Sequence, residues 1–204
     1  MFQQNRLSNI VILIVCILVA LTIHEFMHGY IAFKLGDKTA FEGGRVSFNP
    51  LNHIDPVMTV LLPIITIVAF GVPILAAKPV PFNPENLKYD EFGAAMVAAA
   101  GPVSNLALAF LAALLDNSVA AGSLLGQVLQ AFIVLNVALF VFNLIPIPPL
   151  DGSRVVYAFA PDPIRRIFDQ LEPIGLFIIF GLVLLGGFGG LLTNLNQSIL
   201  NLLP

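Results

Sequence analysis

His24-Glu25-Phe26-Met27-His28 lies inside the apolar stretch 10–35, and that setting decides how the rest of the chain is read. Two of the chain's three histidines flank this one glutamate. On a helix, residues four apart face the same way, one turn along. His24 and His28 can therefore offer two imidazole nitrogens to one metal ion. Glu25 stands beside them, placed to take a proton from an attacking water. Ionisable groups at membrane depth are costly and mark function.

Working outward, the surroundings are those of a membrane domain. Of 204 residues, 58% are hydrophobic and 10% charged, with mean hydropathy +0.94. A soluble domain usually carries about 25% charged residues. Residues 1–204 read as a single polytopic domain. It is all-α, with four to five apolar segments (8–35, 56–77, 91–115, 124–145 and 173–192) near the roughly 20 residues that a bilayer span needs. A net charge of -3 without a basic run gives no footing for nucleic acid. The only cysteine, Cys16, excludes an internal disulfide. It precedes His24 by eight residues, about 12 Å of helix rise, too far to share that metal. The first stretch lacks a basic leader and carries the histidine pair, so it reads as a span rather than a cleaved signal.

After the first helix a re-entrant or short β element is expected. Gly43, Gly44 and the alternation Arg45-Val46-Ser47-Phe48 predict a short strand or hairpin. Residues 56–77 are interrupted by Pro63, Gly71 and Pro73, which suits a segment that dips in and returns on the same side. Charge supports that reading. If every stretch crossed, Arg6, Lys78, Lys88, Arg154, Arg165 and Arg166 would oppose Lys34, Lys38 and Arg45, 6 against 3. With 56–77 re-entrant, Arg6 stands alone against the other 8. The positive-inside rule prefers the second split. It implies four true crossings in the cell membrane and an active site nearer the cytoplasmic face.

Catalytic zinc takes three protein ligands and keeps one open position. His24 and His28 supply two. Candidates for the third are Asp151, His53, Asp55 and the loop acids. Asp151 is preferred: Pro146, Pro148 and Pro149 break the helix before it, and Gly152 lets the backbone turn closely. His53 otherwise reads as a loop histidine bonded to its neighbours, or as a residue near substrate. Asn105 and Asn143 read equally as bonds between helices or as groups holding a substrate carbonyl. Gly186 and Gly190 fit a small-residue helix contact.

Three blocks together resemble the site-2 protease family of intramembrane zinc metalloproteases. They are His24-Glu25-Phe26-Met27-His28, Gly101-Pro102-Val103-Ser104-Asn105, and Asn143-Leu144-Ile145-Pro146-Ile147-Pro148-Pro149-Leu150-Asp151-Gly152. The resemblance implies one zinc per chain held by His24, His28 and Asp151, with Glu25 as catalytic base. It implies that Asn143 contacts the substrate backbone, and that residues 36–84 receive substrate as an added strand. The substrate would be a transmembrane helix of another membrane protein. A competing reading is a membrane metal transporter or sensor using the same histidines.

Overall fold

The computed structural model describes residues 4–55, 59, 61, 78, 80–120, 122–184 and 187–204. Among these the regular structure is entirely helical. The α-helices are α1 (Gln4–Lys34), α2 (Thr39–Glu42), α3 (Asp90–Asp116), α4 (Leu124–Asn143), α5 (Asp151–Phe159), α6 (Asp162–Leu171), α7 (Gly175–Leu184) and α8 (Gly187–Leu200). Three helical stretches among the described residues are long and apolar enough to cross a bilayer: Ser8–Lys34, Asp90–Asp116 and Leu124–Asn143. At 1.5 Å per residue, the shortest, of 20 residues, reaches about the 30 Å of a hydrocarbon core.

α3 is the hub, packing on α1, α4 and α5. Composition explains its position. Its buried face is Gly93, Ala94, Ala95, Val97, Ala98, Gly101, Pro102, Asn105, Ala109, Ala112 and Ala113. Lipid gives no hydrophobic push between helices, so close backbone approach over small residues must hold them. Toward one end, Ala94 and Val97 pack with Ala32, Leu35 and Leu87. Further along, Ala109 packs with Val137 and Val141, against Leu192, Ile199 and Leu200 of α8.

The segment after α1 differs from the strand expected there. Among its described residues it forms α2 and a 3-10 turn, Pro50–Asn52. The cause is local. The Asn49 side chain accepts from Leu51 N, with Pro50 starting the turn. The Ser47 carbonyl accepts from His53 Nε2 at 2.8 Å, in place of a neighbouring strand's N–H. Residues 56–77 lie outside the described residues apart from Thr59 and Leu61, so the expected re-entrant segment does too.

Asp37 ties this segment together. Its carboxylate accepts from Thr39 N at 3.2 Å, Thr39 Oγ1 at 2.6 Å, Asn83 N at 2.8 Å and Asn86 Nδ2 at 3.2 Å. Burial pushes its pKa up, but these donors outweigh it and hold the carboxyl below its usual range.

Over the span expected at 173–192 the described residues form α7 and α8, and residues 185–186 between them lie outside the described set. Among the described residues no atom lies within 4 Å of where a Gly190 Cβ would be. Gly186 lies outside the described residues.

Candidate metal centre

The helical pitch of α1 brings His24 and His28 to one face, and both imidazoles turn toward α3. Their Nε2 atoms stand 3.0 Å apart. Asp151, the first residue of α5, completes the group from the far side of the proline-rich turn. Its Oδ2 lies 3.2 Å from His24 Nε2 and 3.4 Å from His28 Nε2. Gly152 is what lets α5 start there: a Cβ at that position would run into the Leu144 carbonyl. Arg165 then holds the other end of α5 through the Tyr157 and Ala158 carbonyls, at 3.2 and 3.1 Å.

Whether these three side chains fit a metal can be tested on their other atoms. The Val97 carbonyl can only accept, so His28 Nδ1 donates to it, at 2.8 Å. His24 Nδ1 donates to Asn105 Oδ1 at 2.6 Å. In a neutral imidazole each Nε2 is then a bare lone pair. Asp151 Oδ2 is buried and takes no hydrogen bond. Three acceptors thus face one another with no proton assigned between them, an arrangement that a cation relieves. Their separations match. Four N or O ligands placed tetrahedrally about 2.0–2.1 Å from zinc stand roughly 3.3 Å apart. Partners on the outer imidazole nitrogens are also what metal-binding histidines carry.

Gly101 leaves the room that these ligand atoms occupy. A Cβ there would fall within 2.6 Å of His24 Nε2, and closer still to His28 Nε2. The cradle exists because α3 has no side chain at this point.

Beside this group, Glu25 is 8% exposed. Among the described residues no hydrogen bond engages its carboxylate.

The other candidates fall elsewhere or behave differently. His53 and Asp55 are not among the clustered ligand atoms. The Ser47 carbonyl can only accept, so His53 donates to it through Nε2, and its Nδ1 has no hydrogen-bond partner among the described residues. Asn143 Nδ2 donates to Leu139 O at 2.9 Å, within its own helix. Asn105 lies against a histidine rather than at an open cavity. Two residues of the surrounding hydrogen-bond network carry no motif in the sequence: Val97, and Asn136, whose Oδ1 accepts from Asn105 Nδ2 at 2.8 Å. Val97 acts through its backbone, which no sequence motif marks. Asn136 left a faint signal: an amide inside an apolar span, seven residues before Asn143 and on the same helical face.

Comparison with known proteins gives the family. Residues 56–186 match the family model described as Peptidase family M50. The chain belongs to peptidase family M50. This is the site-2 protease family that the three sequence blocks resemble, and its zinc peptidases act on proteins in a membrane setting. The match takes in the Gly101 block and Asp151 and begins after the paired histidines. Among curated relatives, YwhC of Bacillus subtilis is 38% identical over 188 residues, covering 88% of this chain and 82% of that protein. Rip2 of Mycobacterium tuberculosis strain H37Rv is 32% identical over 171 residues, covering 82% of this chain and 64% of that protein. Both are provisionally named zinc metalloproteases. No solved structure matches the chain.

Proposed function

We propose that this M50 peptidase holds one zinc ion on His24, His28 and Asp151 and uses it to hydrolyse a peptide bond in a transmembrane segment of another membrane protein. The observation that carries the reading is the triangle formed by His24 Nε2, His28 Nε2 and Asp151 Oδ2, 3.0 to 3.4 Å on a side. When bound there, zinc polarises the scissile carbonyl and brings the pKa of water toward about 7.

The chain's own residues supply the rest. Glu25 accepts one proton as the water oxygen bonds to the carbonyl carbon. It returns that proton to the amine nitrogen as the C–N bond breaks. Asn105 and the Val97 carbonyl keep both imidazoles turned to the metal. The Asn143 Oδ1 is available to accept from a substrate backbone N–H, while its amide nitrogen stays on Leu139 O. A helix hides its carbonyls in hydrogen bonds, so substrate must unwind locally before cleavage.

The proposed setting is a multi-pass protein of the cell membrane, with the centre opening toward the cytoplasmic face. The lopsided distribution of lysine and arginine supports this orientation. The transporter reading has less support. Glu25 is the one acid well inside a candidate span among the described residues, whereas a permeation path needs several. Co-reconstitution in liposomes with a single-span protein separates the two. Cleavage that stops in Glu25→Gln supports the peptidase. Zinc uptake that persists in Glu25→Gln, without cleavage by the wild type, would replace it with a transporter.

A further inference from the structure

The zinc site argued above needs His24 in one tautomer, with the proton on Nδ1 and the lone pair on Nε2. The residue that enforces this tautomer lies beyond Asn105. An asparagine amide is nearly symmetric in shape, and a flipped Asn105 would present its NH2 to His24 Nδ1. That nitrogen would then have to accept. The proton would move to Nε2, and His24 could no longer ligate. Something must hold Asn105 the right way round.

The hydrogen-bond chain across three helices shows what does. Asn136 Nδ2 donates to the Phe132 carbonyl of its own helix at 2.8 Å. A backbone carbonyl cannot donate, so this contact fixes the Asn136 amide. Its Oδ1 is thereby left to accept from Asn105 Nδ2, at 2.8 Å. That in turn aims Asn105 Oδ1 at His24 Nδ1, at 2.6 Å. The remaining Asn105 N–H points at another acceptor, the Ala20 carbonyl, at 3.5 Å. Direction therefore runs one way only, from Phe132 O on α4, through Asn136 and Asn105, to the imidazole on α1. Asn105 and Asn136 are both 0% exposed, so bulk water does not compete for these groups.

Building on the zinc reading, we propose that Asn136 is a positioning residue for the metal centre. By fixing the amide orientation of Asn105 it selects the His24 tautomer that binds zinc. It touches neither metal nor substrate.

The test is zinc affinity, measured on the purified full chain in detergent by competition with a chromophoric chelator. It is paired with 15N-imidazole spectra, which separate Nδ1–H from Nε2–H tautomers in a protein of three histidines. Asn136→Leu removes the acceptor and is expected to weaken zinc binding about 10- to 100-fold, the usual effect of losing an outer-sphere partner. In the metal-free protein at alkaline pH, its His24 is expected to lose its Nδ1–H preference. Asn136→Asp keeps, in either charge state, a side-chain oxygen that accepts from Asn105 Nδ2. It is expected to restore wild-type affinity to within about threefold and to restore the tautomer, a rescue that a purely packing role would not produce. If Asn136→Leu does not fold, Asn136→Ala removes the same acceptor and carries the test.

Unchanged affinity and tautomer in a folded acceptor-less variant would overturn the role of Asn136 while leaving the peptidase intact. Failure of Asn136→Asp to rescue would overturn it equally. A wild-type chain that binds no zinc would instead overturn the metal reading on which the role of Asn136 rests.

Discussion

Asp151 Oδ2 lies 3.2 Å from His24 Nε2, joining the start of α5 to the middle of the first membrane helix. Both atoms are acceptors once His24 Nδ1 donates to Asn105, so a cation bound between them would relieve the contact. Zinc at 100 times its dissociation constant should therefore stabilise the wild type by about 2.7 kcal/mol. Asp151→Ala should lose that gain, and its zinc affinity should fall more than about 100-fold. Thermal melts with and without zinc, and chelator competition, check both.

Glu25→Gln keeps the shape of the side chain and removes its basicity. Zinc affinity should stay within about twofold, because Glu25 is not among the clustered ligand atoms. Cleavage should fall by about 10²- to 10⁴-fold, the range for loss of a general base. Single-turnover cleavage of a reconstituted substrate, alongside metal content, reads the two effects separately.

Gly101→Ala places a methyl group in front of both Nε2 atoms. Alanine favours a helix over glycine by about 0.5–1 kcal/mol, so the fold should survive. Metal content measured by atomic emission should drop below one-tenth of the wild-type value while helical circular dichroism is retained. Full zinc occupancy in this variant would mean that the ion sits elsewhere.

Asp37 should make the loop region sensitive to acid. Its folded pKa is lowered, so its contribution is fully present above the unfolded value of about 3.9. It is lost as pH falls through the lower folded value. Stability should therefore decline below about pH 4. Asp37→Ala should cost about 2–3 kcal/mol at neutral pH through its orphaned donors, and should flatten the acid limb. Melting midpoints between pH 3 and pH 7 check the sign.

How much of this was legible beforehand depended on the kind of constraint. The histidine pair could be read because helical pitch alone puts His24 and His28 on one face. Asp151 could be singled out because Pro146, Pro148 and Pro149 end α4 and Gly152 permits the next turn. The Arg45-Val46-Ser47-Phe48 alternation misled because a strand needs a partner ladder, and His53 takes the Ser47 carbonyl instead. Asn105 was visible, but its direction was not, since amide polarity is set by Asn136 on another helix. The Val97 carbonyl left no mark, because any residue type supplies one.

The central claim is that two imidazoles and one carboxylate hold a single zinc ion. Zinc K-edge X-ray absorption on the zinc-loaded full chain tests it most directly. Zinc held by His24, His28 and Asp151 should show two imidazole ligands and oxygen at about 2.0–2.1 Å, no sulfur near 2.3 Å, and a shell that changes in Asp151→Ala. A shell with fewer than two imidazoles, or one that is identical in wild type and Asp151→Ala, would contradict it.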